Sequence, residues 1–123
     1  MSLKVGLRER EAGVFILSTS GRLDTNTYPV LEARVDQVLT NSPRAIVFDM
    51  SGLDYVSSMG VRVIIKAEKA LAKTGGKVIM TNLQPQIEKV FEIIKALPSF
   101  SIFKNTQEMD DYLDKMQKKT LED

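Results

Sequence analysis

Two adjacent hydroxyls, Ser57 and Ser58, stand where a strand and its turn give way to a helix, inside Asp49-Met50-Ser51-Gly52-Leu53-Asp54-Tyr55-Val56-Ser57-Ser58-Met59-Gly60-Val61-Arg62-Val63. The first turn of a helix presents unpaired N–H groups and the positive end of the helix dipole, so a phosphoester there is accommodated without unfolding anything. Either serine can instead serve as the helix N-cap. Carboxylates are the other reactive groups. Asp24, Asp49 and Asp54 come nearest to a general base, whereas Asp110-Asp111 falls in a helix's opening turn, where acids complement the dipole. Histidine and cysteine are absent, which excludes thiol nucleophiles, disulfides, Ser-His-Asp triads and nearly every zinc or haem site. Gly52 and Gly75-Gly76 are isolated, with no phosphate-cradling motif around them. The expectation is a protein without turnover chemistry, cofactor or metal.

The 123 residues are 43% hydrophobic and 27% charged, the proportions of one soluble domain with one core. Seventeen basic residues against 16 acidic leave a formal charge of +1, and neither sign forms a block that would track nucleic acid or anionic lipid. No apolar run approaches the roughly 20 residues that span a bilayer, and Met1-Ser2-Leu3-Lys4 does not lead into the apolar stretch of a signal peptide. These features predict a cytoplasmic protein that neither enters the membrane nor contacts nucleic acid directly.

The elements that must position the serines follow from periodicity. Leu3, Val5 and Leu7 alternate with polar residues or glycine, Glu11-Ala12-Gly13 reads as a hairpin turn, and Val14-Phe15-Ile16-Leu17 is a buried strand. Thr25-Asn26-Thr27 offers N-caps to a helix with Pro29 in its first turn and Leu31, Val35 and Val38 on its stripe, stopped by Asn41-Ser42-Pro43. Ala45 to Met50 is the strongest strand signal and reads as central, Ser51-Gly52-Leu53-Asp54 as a turn, and a helix from near Ser58 carries Gly60, Val63, Ile64, Ala67 and Leu71 on one face. Thr74-Gly75-Gly76 ends it. Lys77 to Met80 is a fourth strand, Gln84 to Lys95 a helix with Ile87, Val90, Phe91 and Ile94 on its stripe, Ser101 to Phe103 a short strand, and Met109, Tyr112, Leu113 and Met116 mark a closing helix. The order β-β-α-β-α-β-α-β-α predicts an α/β fold: a mostly parallel mixed sheet with an antiparallel N-terminal edge strand and crossover helices mainly on one face. One domain is expected over 1–123, its last residues from about 117 forming a frayed end.

The segment from Asp49 to Val63 resembles the signature of the STAS domain (sulfate transporter and anti-sigma factor antagonist), D-x-S-x-x-x-x-x-[DS]-S-[SA]-G-[LV] after the central strand, and Gly21-Arg22-Leu23-Asp24 resembles that family's G-x-[LI]-D motif. The strand and helix order matches over nearly the whole chain. Met59 departs from the Ser or Ala usual there, and Ser57 stands where Asp is frequent. The resemblance implies an anti-sigma factor antagonist, a switch whose unphosphorylated form binds an anti-sigma factor serine kinase, which phosphorylates Ser58, and which a serine phosphatase restores. The implied partner surface comprises Asp24, Thr25, Ser57, Met59, Gly60, Val61 and Arg62. Loops after neighbouring parallel strands converge, so Asp24 and Ser58 should line one edge, although Asp24 is as readily a turn former. A second reading is a STAS subunit docking on the ATPase of a lipid-transport ABC system.

Overall fold

Apolar residues at every second position set the sheet. In β1 (Leu3–Glu11) the side chains of Leu3, Val5 and Leu7 join the same core as Leu17 of β2 (Val14–Leu23), against which β1 runs antiparallel across a turn where Gly13 takes φ +82°. The structure, a computed structural model, describes residues 2–122, with side chains for all of these except Ser99 and 117–122. The frayed end expected over 117–123 lies outside the described side chains.

Strands β3 (Ala45–Val56), β4 (Lys77–Thr81) and β5 (Ser101–Phe103) extend the sheet in the order β1-β2-β3-β4-β5, all parallel from β2 onward. Helices α1 (Tyr28–Leu39), α2 (Ser58–Ala72) and α3 (Pro85–Ile93) link successive parallel strands and bury Leu31 and Val35, Ile64 and Leu71, and Ile87 and Phe91 in one core with Ile46, Phe48 and Met50 of β3. Helix α4 (Thr106–Glu122) covers the opposite face, where Met109 and Leu113 meet Val14, Ile16, Ala45, Val47 and Ile79. Arg10 of β1 fastens it, its guanidinium 3.2 Å from Asp110 and 3.1 Å from Asp114. β3 is therefore buried on both faces, as its continuous apolar run predicts.

Two expectations are corrected. Ser51 to Asp54 is not a turn: β3 continues to Val56, because β2 also continues, to Leu23, and pairs with it through irregular register, Gly52 opposite Ser20 and Val56 opposite Leu23. Leu53, fully buried, holds this stretch to the core. Ile94 does not join the core stripe of α3. The helix ends at Ile93, Lys95 takes φ +61°, and Ile94 is left 40% exposed.

Candidate functional site

The site lies at the carboxyl edge of the sheet, where β2 and β3 each run out into a helix. The Ser57 N–H donates to the carbonyl of Leu23 at 2.9 Å, so Asp24 and Ser58, each the next residue, leave the sheet from the same edge. Ser57 is in an extended conformation and its hydroxyl accepts the Gly60 N–H at 3.3 Å, which makes it the N-cap of α2. Ser58, the first residue of the helix, is exposed, and its hydroxyl has no side-chain partner among the described residues. The Val61 N–H is taken by the Ser57 carbonyl, which leaves the Ser58 and Met59 N–H groups as first-turn donors with no acceptor among the described hydrogen bonds.

Gly60 explains how close α2 comes. A Cβ there would sit 2.5 Å from Cγ of Leu23 and 3.0 Å from a methyl of Val56, so only glycine lets the first turn of the helix rest on the ends of β2 and β3. Leu23 is itself fully buried. The hydroxyl of Ser58 is thus carried on a helix start fixed by packing beneath it.

Asp24 behaves differently. Its Oδ1 accepts the N–H groups of Asn26 at 2.9 Å and Thr27 at 3.0 Å, and its Oδ2 lies 3.7 Å from the Arg22 guanidinium. The Asn26 N–H above all, then Thr27 and Arg22, hold its carboxyl below the ordinary carboxylate range, against a smaller opposing effect of burial. Thr27, which precedes α1, makes no side-chain cap; its hydroxyl donates to the Arg22 carbonyl at 2.7 Å and accepts the Asp24 N–H at 2.9 Å. Asp24 is on the expected edge, but one of its oxygens shapes the turn that starts α1.

Of the other residues expected on this surface, Thr25 and Arg62 are exposed and Met59 is half-buried. Val61 is corrected: at 1% exposure its side chain belongs to the core, because the helix that presents Ser58 turns Val61 inward. Gly60 is also buried, acting through close packing. Two residues were missed. The guanidinium of Arg22 lies 4.1 Å from the ring centroid of Tyr55, which is 40% exposed, so a cation–π pair borders Asp24. Their signal, facing positions on neighbouring strands, depended on β3 continuing past Ser51.

Of the remaining carboxylate candidates Asp49 has a structural use, whereas the exposed Asp54 carboxylate has no partner among the described residues. Asp49 Oδ1 accepts the Ser51 N–H at 3.1 Å and the Asn82 side-chain amide at 3.2 Å. Beyond Asp49 no strand among the described residues pairs with β3 on its β4 side; there the Gln84 amide donates to the carbonyls of Ser51 (3.1 Å) and Leu53 (2.8 Å), and the Gln86 amide to that of Asp54 (3.3 Å). Among the described residues no group of acids or other ligating side chains could hold a metal ion, and no helix is long and apolar enough to cross a membrane.

Comparison with known proteins agrees with this fold. Residues 8–109 match the family model described as the STAS domain. BtrV of Bordetella bronchiseptica, named as an anti-sigma factor antagonist, is 31% identical over 90 residues, 73% of this chain and 78% of its own. An anti-sigma factor antagonist from Mycobacterium paratuberculosis superposes with a TM-score of 0.78 at 23% identity, over 87% of this chain and 90% of that one. The Bacillus protein SpoIIAA, solved unphosphorylated and phosphorylated, superposes with TM-scores of 0.73 and 0.70 at 18% identity, over 93% and 89% of this chain and 98% and 99% of those.

Proposed function

This chain belongs to the STAS domain family, and on that premise we propose that it is an anti-sigma factor antagonist: a regulatory binding protein, cytoplasmic and without catalysis of its own. Its unphosphorylated form binds an anti-sigma factor serine kinase, that kinase phosphorylates Ser58, and a serine phosphatase reverses the step. The likeness to BtrV and to the anti-sigma factor antagonists of Mycobacterium paratuberculosis and Bacillus supports the class of function. The observation that carries the assignment to Ser58 is the division of labour between neighbours: Ser57 caps α2, and the Ser58 hydroxyl is exposed and unengaged.

The geometry supports a simple mechanism. The Ser58 oxygen bonds the γ-phosphorus of ATP as the bond from that phosphorus to the β,γ-bridging oxygen breaks and ADP leaves, the hydroxyl proton passing to a base of the kinase, and the modified side chain carries roughly −1.5 to −2 charges at pH 7. The free N–H groups of Ser58 and Met59 and the positive end of α2 stabilise that charge in place, so the helix has no reason to melt. A partner shaped for a neutral hydroxyl must instead desolvate a dianion, which costs several kcal/mol and lowers affinity about a hundredfold or more. That both the unphosphorylated and the phosphorylated form of SpoIIAA superpose on this fold supports the reading that such a modification leaves the fold in place.

Mass spectrometry after incubation with the cognate kinase and ATP tests the proposal. Phosphate on Ser58 alone is expected, and phosphate on Ser57, Ser51 or a threonine overturns the assignment. A pull-down comparing wild type with Ser58→Glu tests the class: an anti-sigma kinase should be lost from the variant's partners, and capture of a lipid-transport ATPase by both would favour the other reading.

A further inference from the structure

The outward side of α2 carries a row of cations that starts at the proposed switch. Arg62, Lys66, Lys69 and Lys73 are all exposed. With 3.6 residues per turn they fall within an arc of about 60°, with Ser58 and Met59 on either side of its head. Interspersed in sequence with apolar residues and with Glu68, which lies outside their arc on the helix, they form no charge block along the chain; only the helix gathers them. The same four line a groove of about 630 Å³ between α1 and α2, whose apolar wall includes Tyr28, Met59 and Val63.

Among the described residues this pattern is poorly compensated, Lys66 alone of the four having an ion-pair partner. Glu32 is the one acid lining the groove, 3.4 Å from Lys66. The spacings Arg62 to Lys66, Lys66 to Lys69 and Lys69 to Lys73 each place like charges one turn apart, which disfavours the helix. The two lysines near the C-terminal end complement the dipole there, but Arg62, near the N-terminal end, opposes it.

We propose that this stripe is the docking surface for an acidic face of the protein partner, a row of Asp and Glu beside an apolar ridge that seats in the α1–α2 groove. The inference rests on the reading of Ser58 as the switch and adds the chemistry of what the switch releases. Ser58 and Arg62 are one turn apart, so a phosphoester on Ser58 draws Arg62 toward itself and puts a charge of the partner's own sign at the head of the stripe. The apolar wall and the single acid in the groove suit an amphipathic protein segment better than an uninterrupted array of phosphates.

Titration of the isotopically labelled chain with a synthetic amphipathic helix of about 15 residues, bearing Glu at the spacing of the four cations with Leu beside them, tests this by amide spectra. Shifts are expected at Tyr28, Glu32 and from Met59 to Lys73. Affinity should fall about tenfold in Lys69→Glu/Lys73→Glu, and similarly on raising salt from about 50 to about 300 mM. Lys104→Glu/Lys115→Glu, the same change of charge at exposed sites elsewhere, should leave it unchanged. If the first variant is poorly folded by its thermal melt, Lys69→Gln/Lys73→Gln takes its place. Absence of shifts, shifts centred elsewhere, equal losses in both variants, or tighter binding to phosphatidylserine-containing vesicles or to polyuridine would each overturn the proposal. The titration needs neither kinase nor phosphate, so its failure and a failure of phosphorylation at Ser58 are separate results.

Discussion

Helices α1 and α2 begin side by side at one edge of the sheet, and their first turns are held by different means. At α1 the residue before the helix, Thr27, makes no side-chain cap, and the Asp24 carboxylate three residues upstream takes the Asn26 and Thr27 N–H groups instead. At α2 the residue before the helix, Ser57, does the capping itself. A reactive side chain is therefore committed at one start and spare at the other. What separates Asp24 from Ser58 is who else is available to satisfy the backbone: a polar side chain in a family motif is free for a partner only when a neighbour has taken over its structural work.

The largest effect is expected at Gly60, on which the start of α2 rests. Gly60→Ala drives a methyl into Leu23 and should destabilise the fold by about 1–3 kcal/mol, read as a lowered melting temperature, because the buried leucine has no room to give. An unchanged melt would mean that the α2 start is not fixed by packing. Next comes Ser57→Ala, which removes the cap and should cost about 0.5–2 kcal/mol, with Ser57→Asp restoring most of it.

Asp24 sharpens the other side. Its carboxyl titrates below its ordinary value in the folded chain, so the stability it contributes is fully present above the ordinary carboxylate range and is lost as pH falls through the lowered folded value. Asp24→Asn keeps an acceptor for the Asn26 and Thr27 N–H groups and removes the titration, so denaturation curves collected from neutral to acid pH should converge for the two proteins at the acid end. Curves that stay parallel would show that the turn does not depend on the charge. Ser58→Ala should have the smallest effect, within about 0.5 kcal/mol of wild type, while abolishing phosphate uptake. A loss as large as that of Ser57→Ala would show that Ser58 shares the capping.

The regular parts of this architecture were legible from apolar spacing. Ile46, Phe48 and Met50 alternate with Ala45 and Val47 across the two cores, and Leu31, Val35 and Val38 mark the buried side of α1, because burial acts on every turn or pleat and leaves a periodic record. The site was legible only in part. Ser57 and Ser58 can be ordered by motif, but Ser51 to Asp54 reads as a turn, since Ser51, Gly52 and Asp54 have turn-forming character and the register irregularities that keep them in a strand have no local signature. The pairing of Arg22 with Tyr55 disappeared from view with that strand. Val61 was misplaced because motif membership says nothing about the direction of a side chain, which the angle around α2 decides.

The amides of Gln84 and Gln86 have a further consequence. Where β4 stops at Thr81, the outer half of β3 would otherwise present carbonyls at Ser51, Leu53 and Asp54 along an open edge, a template for strand addition by another chain. The two glutamines occupy those acceptors from the side without continuing the sheet. Such a seal lets a strand carry an exposed tip while its backbone stays unavailable to amyloid-like pairing, so that association at this edge is decided by side chains and not by the sequence-blind affinity of one β-edge for another.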